Sequence, residues 1–415
     1  FGRLTDDTSR EHPRGFGCVD ARVWDAEHPR SRFYRRSLAG MTTTSEPLRR
    51  EYVDGATAIV RGAIDAGCTF FAGYPITPAS GILRAMMREL PTVGGVARQG
   101  EDESASLGMC LGAAMSGAKA MTATSGPGIS LYSENIGLAI MGEVPLVIVD
   151  VQRLGPATGG ATTVAQGDIQ FVRWGTAGGY PMIVLAPSSV PETYGLTAKA
   201  FELAERFRCP VFLLTDKEIA MTLSAIDVDE YPEVGVVERA EKDRGLPYTW
   251  EPSDAVEPMR RYGDGDPFRF TGSAHDEGAY ITKNAEKVRA LNQHLIDKIE
   301  HHRDEIELVD ADPDPAADTL VVSYGVTAGA ARAAISRLRS EGIPTSGLVV
   351  QSLWPIPETA LAAALEGINR VVVPELNMGL YRREIDRLAG ERVVLGVNRV
   401  DGTLITVDEI VEAAR

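Results

Sequence analysis

Apolar positions along this chain recur at helical spacing and at strand spacing in turn. Val53, Ala56, Ile59, Val60, Ala63 and Ile64 repeat at helical intervals up to Gly67, which predicts a helix over 49–66. Short apolar runs then alternate with further helical stretches: strand 68–72, helix 81–90, strand 117–123, helix 129–141, strand 179–186, helix 190–206 and strand 211–214. The run VPLVIVDV over 144–151 is apolar without interruption, as suits a central parallel strand covered on both faces. Repeated strand–helix units of this kind predict an α/β domain over 45–225. Residues 226–317 lose the rhythm. They are rich in Glu, Asp, Pro and Arg, with a helix only over 284–302, and are expected to form a connecting segment packed over the first domain. Alternation returns in 318–415, with strands at 319–324, 347–351 and 370–374 and helices at 330–341, 357–365 and 381–388, so a second α/β domain is expected there.

One stretch, 99–128, carries more chemistry than its neighbours. Three acids, Glu101, Asp102 and Glu103, lead into a helix of small and apolar residues (Ala105, Gly108, Met109, Gly112, Ala113, Met115 and Ser116), and the stretch ends in the turn Ser125-Gly126-Pro127-Gly128. Such a helix is expected to be buried and to allow a backbone or flat ligand close to it. Acids at a helix start favour the positive end of its dipole and can simply stay solvated; a third one leading into an apolar helix would be partly desolvated and in need of a partner. Upstream, the loop Gly73-Tyr74-Pro75-Ile76-Thr77-Pro78 is stiffened by its two prolines, holding Thr77 where its hydroxyl would be exposed. It leaves the carboxyl end of a predicted strand, where open α/β sheets bind ligands. Arg153 follows the 144–151 strand, ahead of a Gly/Thr-rich loop over 155–167. The plainer role for Thr77 is a helix cap or a lock on the loop, which the double-proline frame disfavours, and on spacing alone Arg153 is equally one side of an ordinary salt bridge.

Composition narrows the class. At 415 residues the chain has room for two or three domains, and a net charge of -16 argues against a nucleic-acid or anionic-membrane surface. Cys18, Cys68, Cys110 and Cys209 are far apart and have no metal-ligand spacing, so buried reduced thiols in a cytoplasmic protein are expected, with no metal site and no iron–sulfur cluster held by this chain. No apolar run is long enough to cross a bilayer. Residues 1–44 have no periodic apolar face and no signal-peptide core; they are treated as an N-terminal extension that is an upstream read-through or an arm wrapping a partner. Gly263-Asp264-Gly265 invites comparison with a metal-diphosphate motif, but no apolar strand precedes it, and a surface turn is expected. Gly325-Val326-Thr327 has the form of a phosphate cradle, or of the plain turn that starts a helix.

Four motifs in order carry a resemblance: Gly73-Tyr74-Pro75-Ile76-Thr77-Pro78; Glu101-Asp102-Glu103-Ser104-Ala105; Thr122-Ala123-Thr124-Ser125-Gly126-Pro127-Gly128; and Gln152-Arg153 with Gly155-Pro156-Ala157-Thr158-Gly159. Together they resemble the alpha subunit of 2-oxoacid:ferredoxin oxidoreductases, most closely the 2-oxoglutarate (oxoglutarate synthase) branch. Ser352–Pro357 and Pro374-Glu375-Leu376-Asn377-Met378-Gly379 extend the similarity into the second half. The resemblance implies a thiamine diphosphate pyrimidine-binding domain followed by a transketolase C-terminal-like domain. It also implies a beta subunit that binds the diphosphate, Mg²⁺ and a 4Fe-4S cluster, in an (alpha-beta)2 assembly. The implied reaction is oxidative decarboxylation of a 2-oxoacid to its coenzyme A thioester, with electrons passed to ferredoxin or another acceptor and possible involvement of a gamma-like subunit.

By the same resemblance, Glu103 would hydrogen-bond the aminopyrimidine ring of thiamine diphosphate, Thr77 and Arg153 would bind the substrate, and Tyr74, Pro75 and Ser125 would line the cofactor. Thr158 is a further candidate contact. The chain departs from the pattern after Arg153, where Ala157 stands in place of the more usual Ser, and at Gly379-Leu380-Tyr381 in place of Gly-Gln-Leu. The first departure borders the implied substrate pocket and leaves pyruvate, branched-chain and aryl 2-oxoacids as alternatives to 2-oxoglutarate. A transketolase-like ligase and a non-catalytic interface subunit are the rival functions.

Overall fold

The computed structural model describes residues 50–227, 231–232 and 234–415. The N-terminal extension and Cys18 lie outside the described residues. The strands are β1 (Arg50–Asp54), β2 (Phe70–Gly73), β3 (Val96–Gln99), β4 (Ala120–Thr124), β5 (Leu146–Gln152), β6 (Ile183–Leu185), β7 (Pro210–Asp216), β8 (Leu223–Asp227), β9 (Val309–Asp312), β10 (Thr319–Ser323), β11 (Thr345–Val350), β12 (Ser352–Trp354), β13 (Arg370–Glu375) and β14 (Val393–Asn398).

They form a seven-stranded sheet in the order β12-β6-β7-β5-β4-β2-β3, a five-stranded sheet in the order β14-β13-β10-β11-β9, and a ribbon of β1 with β8. The large sheet is parallel except for β12, which runs antiparallel to β6, and the small one is parallel except for β9. The expected α/β class with parallel sheets is thus present. β5 and β7 pair along their whole lengths and every residue of both is buried, which explains why the sequence there is apolar without alternation. Leu146, Ile148, Phe212 and Leu214 face the Glu103–Met115 helix side, while Val147, Val149, Val151, Val211 and Leu213 face the opposite layer with the Gly55–Asp65 and Val190–Phe207 helices.

The helix expected over 49–66 is corrected at its start. Residues 50–54 are strand β1, and the helix begins at Gly55 because the Asp54 carboxylate caps it, accepting from the Thr57 amide at 2.8 Å. The 129–141 helix divides into Pro127–Leu131 and Ser133–Met141 at Tyr132, whose buried ring turns inward and whose hydroxyl lies 2.8 Å from that of Thr122. The helix after the three acids buries one face only. Ser106, Leu107, Cys110, Leu111, Ala114 and Met115 are inside, whereas Ala105, Gly108 and Gly112 are exposed.

The segment after β8 packs over the large sheet. Tyr248, Trp250, Met259, Leu291 and Leu295 enter its core. Glu143, just ahead of β5, accepts from His294 Nε2 at 2.9 Å and Lys298 Nζ at 3.0 Å on the Ala285–Glu300 helix. Residues 263–265 form an exposed surface turn in which Arg261 Nε donates to Asp264 at 2.7 Å.

Candidate cofactor and substrate site

The carboxyl ends of β2, β4 and β5 come together, and the motif residues sit in the loops that leave them. Of the three acids, Glu101 is exposed and Asp102 is the helix cap, accepting from the Ala105 amide at 2.7 Å. Glu103 turns inward and is 6% exposed. Its carboxylate makes no hydrogen bond with any described residue. It rests against the turn after β4: a Cβ on Gly128 would lie 2.8 Å from Glu103 Oε1 and 2.1 Å from Thr124 Oγ1. That threonine hydroxyl is also buried without a hydrogen-bond partner among the described residues.

Arg153 approaches the same turn from the next strand. It is buried, its Nη1 donates to the Thr77 carbonyl at 2.6 Å, and its Nε has no hydrogen-bond partner among the described residues. A Cβ on Gly126 would meet Arg153 Cγ and Nε at 3.2 Å. Glu103 and Arg153 therefore flank one four-residue turn, and Thr77 is joined to Arg153 through its carbonyl. The Thr77 hydroxyl is half-buried with no hydrogen-bond partner among the described residues, while Tyr74, Pro75 and Thr158 are exposed. Ser125 is fully buried and spends its hydroxyl on the Val151 carbonyl at 2.7 Å, locking the turn to β5.

Two acids behind Arg153 drew no attention in the sequence. Asp150 on β5 is fully buried, and neither carboxylate oxygen makes a regular hydrogen bond with any described residue. Burial pushes it well above the ordinary carboxyl range; the neighbouring Asp168 adds to this, and the Gly126 amide offsets only part. Burial likewise pushes Asp168 up to about 6, against the pull of the Arg153 charge.

Residues 61–312 match the family model for the pyruvate flavodoxin/ferredoxin oxidoreductase thiamine diphosphate-binding domain. Residues 317–410 match that for the pyruvate:ferredoxin oxidoreductase core domain II. The chain belongs to the pyruvate flavodoxin/ferredoxin oxidoreductase family.

Among relatives in this family, the 2-oxoglutarate synthase subunit KorA of Methanothermobacter thermautotrophicus is 41% identical over 347 residues, covering 81% of this chain and 90% of that one. The ketoisovalerate oxidoreductase subunit VorB of the same organism is 36% identical over 375 residues, 89% of this chain and 98% of that one. The solved 2-oxoglutarate:ferredoxin oxidoreductase from Magnetococcus marinus, with 2-oxoglutarate, coenzyme A and succinyl-CoA bound, superposes with a TM-score of 0.83 at 30% identity; the match covers 89% of this chain and 65% of that one. A split gene transketolase, in its inactive beta4 tetramer, shares the fold alone, with a TM-score of 0.51 at 14% identity over 87% of this chain and 95% of that one.

The residues present suit the ring end of the family's cofactor. A carboxylate without a protein hydrogen bond on a residue that is largely buried, beside a buried hydroxyl that lacks a regular partner and a glycine that leaves the approach clear, suits a flat heteroaromatic ring bearing amine and ring-nitrogen groups. Among the described residues no cluster of His, Cys, Asp and Glu is placed to hold a metal ion. Cys68, Cys110 and Cys209 are free and buried, and burial pushes the Cys68 and Cys209 thiols up to about 12, which makes them poor nucleophiles. No helix among the described residues is long and apolar enough to cross a membrane. The Gly325 loop is a turn whose Val326 amide is taken by the Asp216 carboxylate at 3.0 Å.

Proposed function

We propose that this chain is the alpha subunit of a thiamine diphosphate-dependent, coenzyme A-acylating 2-oxoglutarate:ferredoxin oxidoreductase, active in a cytoplasmic complex with a beta subunit. The buried, unpartnered Glu103 carboxylate against the Gly128 turn is the observation that carries the reading. Glu103 would accept a hydrogen bond from the aminopyrimidine ring and hold a proton at the ring nitrogen, so that the ring's amino group can serve as a base. Thiamine diphosphate, when bound, supplies the nucleophilic carbon and the electron sink for decarboxylation. Thr124, Tyr74 and Pro75 would border the ring, and Ser125 would hold the turn in place.

Arg153 would meet the carboxylate of the 2-oxoacid. Its Nη1 is steered by the Thr77 carbonyl, and the planar guanidinium carries further N–H donors in a fixed fork for a bidentate contact that Lys would lack. The Thr77 hydroxyl, on the same rigid loop, would donate to the substrate's carboxylate or carbonyl. The diphosphate, Mg²⁺ and a 4Fe-4S cluster would belong to the beta subunit of an (alpha-beta)2 assembly, with ferredoxin as acceptor. The relatives named 2-oxoglutarate synthase subunit KorA, at 38–41% identity, are more similar than those named for ketoisovalerate, at 34–36%, which favours the five-carbon diacid.

Co-expression with a beta subunit of the same family, followed by viologen reduction with a panel of 2-oxoacids, tests partner, cofactor and substrate together. Thiamine-dependent turnover should be greatest with 2-oxoglutarate and should fall by orders of magnitude in Glu103→Gln. Near-normal turnover in that variant would reduce the chain to an interface subunit.

A further inference from the structure

The loop that follows Arg153 is fastened to the five-stranded sheet through one residue. Gln166 is fully buried and uses both its backbone and its side chain. Its amide donates to the Leu376 carbonyl at 3.0 Å, and its Oε1 accepts from the Leu376 amide at 3.1 Å. Its Nε2 donates to the Tyr324 carbonyl at 3.2 Å, and its carbonyl accepts from Asn377 Nδ2 at 2.8 Å. The partners lie just beyond the carboxyl ends of β10 and β13.

The socket is itself built to hold shape. Asn377 Oδ1 accepts from the Gly379 and Leu380 amides, both at 2.8 Å, and its Nδ2 reaches the Tyr324 hydroxyl at 3.0 Å. The fully buried Glu375 accepts from that hydroxyl at 2.9 Å and from the Tyr381 amide at 2.8 Å. Gly325 lies against the Gln166 amide with φ +57, and a Cβ there would come within 2.5 Å of Nε2, so this contact requires glycine. Every nitrogen and oxygen named in this network has a partner, and a buried network so bonded fixes one geometry.

The same loop is closed where it meets Arg153. Gln152, its immediate neighbour, accepts the Asp168 amide on Oε1 at 3.1 Å, and Leu154 pairs with the Thr163 carbonyl at 2.8 Å. Arg153 thus leaves a loop whose two ends are bonded together and whose far end is bonded to the other sheet.

We infer that Gln166 is a positioning residue for the 2-oxoacid, setting through the 153–168 loop where Arg153 presents its guanidinium. The inference rests on the reading that Arg153 binds the substrate carboxylate. A side chain that only held the two sheets together would affect stability and leave substrate affinity alone.

The test uses the alpha–beta complex and the 2-oxoacid with which it reduces viologen best. Gln166→Met keeps the length and the two main-chain bonds but removes both side-chain bonds. It should raise KM for the 2-oxoacid about tenfold, leave kcat within about twofold, and leave the apparent affinity for thiamine diphosphate unchanged, as expected when the hold on the substrate carboxylate is weakened equally in ground and transition states. An unchanged KM with only a lower melting temperature overturns the inference. If Gln166→Met does not assemble, Asn377→Ala, which removes the bond to the Gln166 carbonyl, decides it by the same KM criterion. Arg153→Lys, run alongside, separates the two claims. A raised KM in Arg153→Lys with none in the Gln166 variant sinks the inference alone, whereas an unchanged KM in Arg153→Lys sinks the assignment of Arg153.

Discussion

A single methyl group at Gly128 tests the site at its tightest point. The Cβ of an alanine there would sit 2.1 Å from Thr124 Oγ1, 2.8 Å from Glu103 Oε1 and 3.0 Å from Glu103 Cγ. Thr124 ends a fully buried strand bonded to β5 and cannot retreat as a unit. The turn or the Glu103 side chain must therefore yield by about 1 Å, an overpacking that costs about 1–3 kcal/mol. A displacement of about 1 Å at a reacting geometry costs on the order of 100-fold in rate. Gly128→Ala should therefore lose about two orders of magnitude in thiamine-dependent viologen reduction by the alpha–beta complex while still folding. Gly329→Ala is the matched control. That glycine is exposed in the Thr327–Ser340 helix with nothing within 4 Å of its Cβ, and alanine there should stabilise by about 0.5–1 kcal/mol with activity intact. Full turnover and normal thiamine diphosphate affinity in Gly128→Ala would refute the claim that Glu103 works from this position.

Two further substitutions probe buried charge. Because the folded protein holds the Asp150 proton above the value of 3.8 at which an unfolded chain releases it, it binds more protons than the unfolded state, and this group's contribution to stability falls as pH rises from about 4. Asp150→Asn does not titrate, so its melting temperature relative to the parent should improve as pH rises above about 4, by about 2–4 °C for each kcal/mol recovered; a pH-independent difference would refute this. At Glu143, burial works to raise the carboxyl, but Lys298, Arg208 and His294 hold it well below its ordinary 4.5, so its stabilisation is present above that pH and declines below it. Glu143→Gln strands Lys298 in the interior and should cost about 3–5 kcal/mol in denaturant unfolding at pH 7. A loss under about 1 kcal/mol would mean the cluster is not an ion pair of consequence.

Local signals carried the sequence reading a long way where packing and periodicity agree. The uninterrupted apolar run of β5 and the amphipathic Val190–Phe207 helix are legible because each is buried in a way its own residues announce. The Gly55–Asp65 helix starts later than its periodicity indicates, since Val53 continues the apolar phase although Asp54 is the cap. β3, the Ile169–Trp174 helix and the Val407–Ala414 helix are too short for periodicity to single them out, although the capping box at Thr406 and Glu409 was a readable start for the last. β12 was beyond sequence reasoning: Ser352–Trp354 belongs by position to the second half of the chain yet pairs with β6 in the large sheet.

The sequence by itself determined the α/β alternation, the stiff Thr77 loop, the acidic helix start and the family, because each rests on residue types at short spacing. Only the tertiary structure decided which of three adjacent acids turns inward, and that Ser125 spends its hydroxyl on a neighbouring strand. It alone placed Asp150 and Asp168 behind Arg153 and seated Gln166 in a socket more than 150 residues away along the chain. Those outcomes depend on which strand ends lie side by side, and strand order is set by packing across the whole sheet rather than by any stretch of chain read alone.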